Sequence, residues 1–183
     1  MDIIEVQKIG TLELNDQVDI TDPCYDKNVW CRMTTECKPG TYTGYAEISD
    51  EGRWGNRVAS ISIYKDDIRV PVSKMECIGS IGVDAGMAGF FRNKPDFKDD
   101  EWEKFMTDSQ MRKPNGSWDY TKRTYIIDYG IFSSSGFGDG GYDVFANEDR
   151  TAFRIEFIVE EEEDEYDDEE EYEYSDDDEE DED

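Results

Sequence analysis

The chain contains no histidine. That absence removes Ser-His-Asp and Cys-His catalysis, histidine-ligated metals and the usual general base at neutral pH. Cysteine is scarce, and the gaps between Cys24, Cys31, Cys37 and Cys77 match no Cys-x-x-Cys pair. A zinc site would need all four, so buried free thiols are the simpler expectation, with no metal and no cofactor. No run of about 20 apolar residues is present to make a transmembrane helix. The opening Met1-Asp2-Ile3-Ile4-Glu5 lacks the basic and apolar regions of a signal peptide. A cytoplasmic location with reduced cysteines is the expectation.

Positive charge is the next shortage. Against 48 acids stand 19 bases, a net charge of −29. Residues 160–183 hold 20 carboxylates, three tyrosines, one serine and no base; setting them aside leaves 28 acids against 19 bases over residues 1–159, a net −9. Both parts therefore repel nucleic acid and anionic membrane and are steered towards cationic proteins. Direct DNA binding is not expected.

What the chain does have is this acidic segment. Extended at about 3.3 Å per residue, it carries roughly one negative charge every 4 Å. A nucleic-acid strand carries one phosphate about every 3.4 Å. The two match in charge spacing, so the natural partner is a basic surface built to hold DNA or RNA. The candidate partner-binding residues are Glu160, Glu161, Glu162, Glu163, Asp164, Glu165, Tyr166, Asp167, Asp168, Tyr172, Tyr174, Asp176, Asp177 and Asp178. The interleaved tyrosines could stack where bases would stack in a nucleic-acid groove. Charge repulsion and minimal apolar area predict a disordered acidic C-terminal tail.

Residues 1–159 suit one domain with a real core. The expected fold is α+β, predominantly antiparallel β with one main helix. Residues 41–48 and 57–64 alternate and read as a hairpin around a turn at 49–55. On the second strand Val58, Ser60, Ser62 and Tyr64 share one face, and Ala59, Ile61 and Ile63 the other. Residues 68–72 read as an edge strand carrying Pro71. Residues 77–83 read as a strand interrupted by glycine. One helix is expected from about Asp99 to Met111, capped by Asp96 or Asp99 and closed at Lys113-Pro114. Residues 122–128 add a strand. Residues 143–146 and 151–159 frame a turn at 147–150, and the last strand turns Phe153, Ile155 and Phe157 to one face and Arg154 and Glu156 to the other.

Three short segments stand out. Ile-Thr-Asp-Pro-Cys-Tyr at 20–25 reads as a strand end entering a turn. Val-Asp-Ala-Gly at 83–86 ends another strand. Residues 132–144 form a glycine-rich loop feeding a strand. Together they resemble a bacterial and phage domain family of unknown function, in which a Val-Asp-Ala-Gly turn and a Gly-aromatic-Gly-Asp-Gly-Gly-Tyr-x-Val loop recur. Here these are 83–86 and 136–144. The resemblance implies a compact β-rich fold and no established activity.

The loop is a poor phosphate cradle, because it leads into a β pattern and offers no lysine. Asp84, Asp139 and Asp143 are a possible functional loop, with hard oxygens of the kind calcium or magnesium takes, or an acid–base pair in Asp84 and Asp139. Carboxylates beside glycine also serve turns by accepting backbone hydrogen bonds. The expected function is a non-enzymatic acidic inhibitor that binds the cationic groove of a nucleic-acid-handling protein. In size, acidity and lack of catalytic motifs the chain resembles phage and mobile-element anti-CRISPR proteins. That resemblance implies a bacterial host cell and a Cas9-type effector with its guide RNA as partner. The alternatives are an acidic binding domain whose tail only aids solubility, or a carboxylate-dependent enzyme.

Overall fold

The computed structural model describes residues 2–113, 115–119 and 121–159. Those residues build two antiparallel sheets and one α-helix, as the sequence patterns predict. The first sheet contains β1 (Asp2–Leu14), β4 (Gly40–Asp50), β5 (Asn56–Lys65), β6 (Met75–Val83), β10 (Gly140–Asn147) and β11 (Ala152–Glu156). Its order is β1-β4-β5-β11-β10-β6. The second contains β2 (Gln17–Thr21), β3 (Met33–Glu36), β7 (Met87–Phe91), β8 (Thr124–Ile127) and β9 (Gly130–Ser134), in the order β3-β2-β7-β9-β8.

The main core lies between the sheets. Ala46, Ile61, Ile63, Phe153 and Ile155 from the first meet Val18, Ile20, Phe90 and Ile131 from the second. The other face of the second sheet is covered by α1 (Asp99–Asp108), where Phe105 and Met106 pack on Phe91, Tyr125 and Phe132. Alternation along each strand thus sorts apolar side chains to the interior.

The hairpin of β4 and β5 pairs Tyr42 with Lys65 through Asp50 with Asn56, but its register slips. Glu47 pairs with Ser60 and Ile48 with Val58, so Ala59 is the extra residue of a bulge. That bulge turns Val58 into the core beside Ile61 and Ile63, correcting the face expected from simple alternation. In β11 the expected faces hold. Arg154, on the outer face, bonds Glu47 at 2.7 Å and Glu156 at 3.0 Å. Burial pushes the Glu47 carboxyl up, but the Arg154 guanidinium and the Ser60 hydroxyl outweigh it and hold the group below its ordinary value.

Two further expectations are corrected. Residues 68–72 form no strand; Pro71 instead precedes a short 3-10 turn, Val72–Lys74. The helix begins at Asp99 behind Lys98, whose N–H is accepted by Glu101 at 2.9 Å, and Asp96 bonds the Lys27 N–H at 2.7 Å rather than capping. It stops at Asp108. Gln110 takes a left-handed φ of 57°, its N–H reaches the Thr107 carbonyl, and the Met111 N–H reaches the Met106 carbonyl. This is a Schellman closure with glutamine in the place glycine usually holds.

Candidate functional site

The three segments that stand out in the sequence converge at one end of the sheets, and Asp22 joins the first two. It follows β2 and is fully buried. Its Oδ1 accepts the Cys24 N–H at 2.8 Å. Its Oδ2 accepts the N–H groups of Asp84 at 2.9 Å and Ala85 at 2.6 Å. One carboxylate thereby satisfies three backbone donors that would otherwise be orphaned. Burial pushes its carboxyl above the ordinary range, opposed by the N–H donors of Cys24, Ala85 and Asp84.

The third segment is tied in next. The Ser135 N–H reaches the Gly86 carbonyl at 3.1 Å. The Ser135 hydroxyl donates to the Gly138 carbonyl at 2.8 Å, and the Tyr142 hydroxyl lies 2.7 Å from that same oxygen. Gly136 and Gly138 hold φ of 56° and 116°, values a side chain resists. Turn-holding in this loop therefore falls to Ser135 and Tyr142, while the turn at 83–86 is held by Asp22.

Asp84 and Asp139 sit at adjoining strand ends, because Val83 pairs with Gly140. Asp143 pairs with Ser80 farther along the same ladder, on the face away from the core residue Val144. All three are exposed. Among the described residues no group of three His, Cys, Asp or Glu side chains is placed to hold a metal ion. The four cysteines are free thiols and do not all share the expected burial: Cys31 and Cys37 are buried, Cys24 is half-buried and Cys77 is exposed. Burial raises the Cys37 thiol to about 11.

Behind the Asp22 turn lies a buried cationic pair. Lys94 is fully buried, and its Nζ donates to the carbonyls of Tyr25 at 3.0 Å and Pro95 at 2.6 Å. Burial first, and then the charge of Arg32, lower its pKa to about 8. Arg32 bonds Asp19 at 2.9 Å, and Asp19 also accepts the Lys94 N–H at 2.8 Å and the Thr34 hydroxyl at 2.6 Å. Every group in this cluster has its partner, so the cluster braces the turn. Sequence reasoning marks neither Asp22 nor Lys94 as special; the one local signal is that each precedes a proline, which fixes an extended or turn backbone.

The acidic candidates numbered 160–178 lie outside the described residues, but their point of departure does not. Past β11 the N–H groups of Phe157 and Ile158 both reach the Ala59 carbonyl, at 2.8 and 3.1 Å. Phe157 is buried, and Val159 is 66% exposed. The Ala59 carbonyl thus pins the chain just before residue 160.

Among the described residues these features define an antiparallel two-sheet protein with one covering helix, a carboxylate-centred joint at one end and, before residue 160, a chain pinned at Phe157 and Ile158. No family model, curated protein or solved structure gives a significant match to the chain. Among the described residues no helix is long and apolar enough to cross a membrane.

Proposed function

We propose that this protein is a non-enzymatic inhibitor that acts by charge, occupying the cationic groove of a nucleic-acid-handling protein and excluding DNA or RNA. The observation that carries the reading is the run of 20 carboxylates and no base in residues 160–183, which leaves the fold at a pinned point. The body supports it. Lys8, Arg32, Lys65, Lys104, Arg112 and Arg154 are each paired with carboxylates of the body. Residues 1–159 also carry a net −9, which favours approach to a basic partner. A nuclease of the host's defence is the partner class, and a Cas9-type effector bound to guide RNA fits it. Such an effector holds its heteroduplex in a cationic channel and reads its PAM with arginines.

The test is competition. The full chain should displace DNA from the effector, the displacement should fade between about 50 and 500 mM salt as charges are screened, and inhibition should saturate at a fixed ratio to target. A shift of naked duplex DNA by this protein at low salt would refute the reading. So would catalytic inactivation of excess effector by trace amounts.

A further inference from the structure

A cleft of about 330 Å³ opens beside the joint, against the turn at residues 85–86. Its walls carry Trp54, Arg57, Trp118, Lys122, Arg123 and Tyr125. Three cations there face a single acid, Asp119, whose Oδ1 accepts the N–H and hydroxyl of Thr121 at 3.1 and 2.6 Å. Among the described residues neither Arg57 nor Arg123 pairs with a carboxylate, and the buried Nε of Arg57 has no hydrogen-bond partner. The Lys122 Nζ donates to the Ser109 carbonyl at 3.1 Å and to the Gln110 Oε1 at 3.4 Å, and stands 5.2 Å over the Tyr125 ring. Trp54 and Trp118 are 57% and 40% exposed. In a chain with 48 acids and 19 bases, guanidinium groups left without acids in one concavity need an explanation, and the concavity suits a polyanion that carries aromatic rings.

Such a segment begins at the edge of this cleft. The chain leaves from residues 157–158, pinned to Ala59, and Arg57 lies two residues back along β5, about 7 Å at strand spacing. Arg57 is also 5.9 Å from the Phe137 ring, next to Gly136, where a Cβ would stand 3.1 Å from Phe157 and Ile158. Residues 160–183 follow with their carboxylates and with Tyr166, Tyr172 and Tyr174. Fully extended they reach about 80 Å, and a tether of this kind holds its end near the cleft at about millimolar effective concentration.

We propose that the cleft is the intramolecular docking site of the acidic segment 160–183, with carboxylates on Arg57, Lys122 and Arg123 and a segment tyrosine stacked on Trp54 or Trp118. The docking stands on the cleft and the exit point, and does not require that the outside partner be a nuclease. If both hold, an outside basic groove must compete with the protein's own.

The experiment uses the full chain, labelled with nitrogen-15. In the wild type the indole cross-peaks of Trp54 and Trp118 and the amides around Tyr166 to Tyr174 should move together as salt rises from about 20 to 500 mM. Trp102, packed on Phe97 and Phe105, serves as a fixed reference. Arg57→Gln with Arg123→Gln should abolish the movement while leaving the core amides unchanged; Arg57→Lys with Arg123→Lys should retain at least half of it. Insensitivity of the tail amides to both salt and neutralisation overturns the proposal. Adenosine monophosphate is the rival probe. If it shifts the two indoles at micromolar concentration without displacing the tail amides, the cleft takes a free nucleotide and the proposal fails.

Discussion

At the scale of single residues, Asp22 carries the most structural work per atom. Its two oxygens serve three N–H groups, and the paired oxygen facing Asp84 and Ala85 has no room for a donor. Asp22→Asn places either its NH₂ against those two donors or against Cys24. The expected cost is about 3 kcal/mol, read as a lower urea midpoint with unchanged slope. Lys94 makes a pH-dependent prediction. Its folded pKa of about 8 lies below the ordinary 10.5, so between those values the unfolded chain holds more protons. Burying the charged lysine is therefore a penalty at full strength below pH 8 and relieved as pH climbs to 10.5. Relative to Lys94→Met, the wild type should gain up to about 3 kcal/mol over that window. Equal pH slopes for the two proteins in chemical denaturation would contradict it. Neither role is legible from sequence. Two of the three donors to Asp22, on Asp84 and Ala85, lie more than 60 positions away, and nothing local marks a lysine that will be enclosed.

At the scale of elements, legibility followed the regularity of the pattern. The β4–β5 hairpin, β11 with its two faces, and the single helix are written in alternation and in 3.6-residue spacing. The 13-residue β1 is not, because register shifts between Ile3 and Glu5 and between Lys8 and Gly10 break its alternation. β7 is buried at every position and shows no alternation either. The helix stops at Asp108, short of the expected Met111, and the stop is hidden in the sequence because a glutamine, not a glycine, takes the left-handed position. β7 also carries a sharp test of strand spacing. A Cβ on Gly89 would stand 2.2 Å from the Ile131 carbonyl oxygen and 2.4 Å from the Phe132 Cα, both backbone atoms of β9. Gly89→Ala should cost about 3 kcal/mol or more. Gly141→Ala, where nothing lies within 4 Å, should shift the thermal midpoint by no more than a degree or two.

For the whole molecule, the prediction concerns how charge is divided between body and extension. The core between the sheets is complete by Ile158. Ending the chain after Val159 should therefore leave the cooperative melt in place, since a run of carboxylates buries little apolar surface. Association with a cationic partner should slow, as steering follows net charge, and the slowing should vanish at high salt in stopped-flow measurements. Unfolding of the shortened chain would mean that the extension is part of the fold. Unchanged association and inhibition would move the contact to the acidic body. The cleft is invisible in the sequence, because it draws on residues 54–57, 85–87, 111, 118–119, 122–123, 125 and 134, which only the folded chain brings together.

The place of β11 has a consequence for how the chain is made. It is the last strand among the described residues, yet it sits between β5 and β10 in the middle of its sheet. During synthesis the first sheet is therefore two separate halves, β1-β4-β5 and β10-β6, each with an exposed inner edge awaiting the same strand. Closure is a late, long-range event of the slow kind. Until it happens both inner edges lie open to pairing with a neighbouring chain, and the net −9 of residues 1–159 makes such chains repel one another.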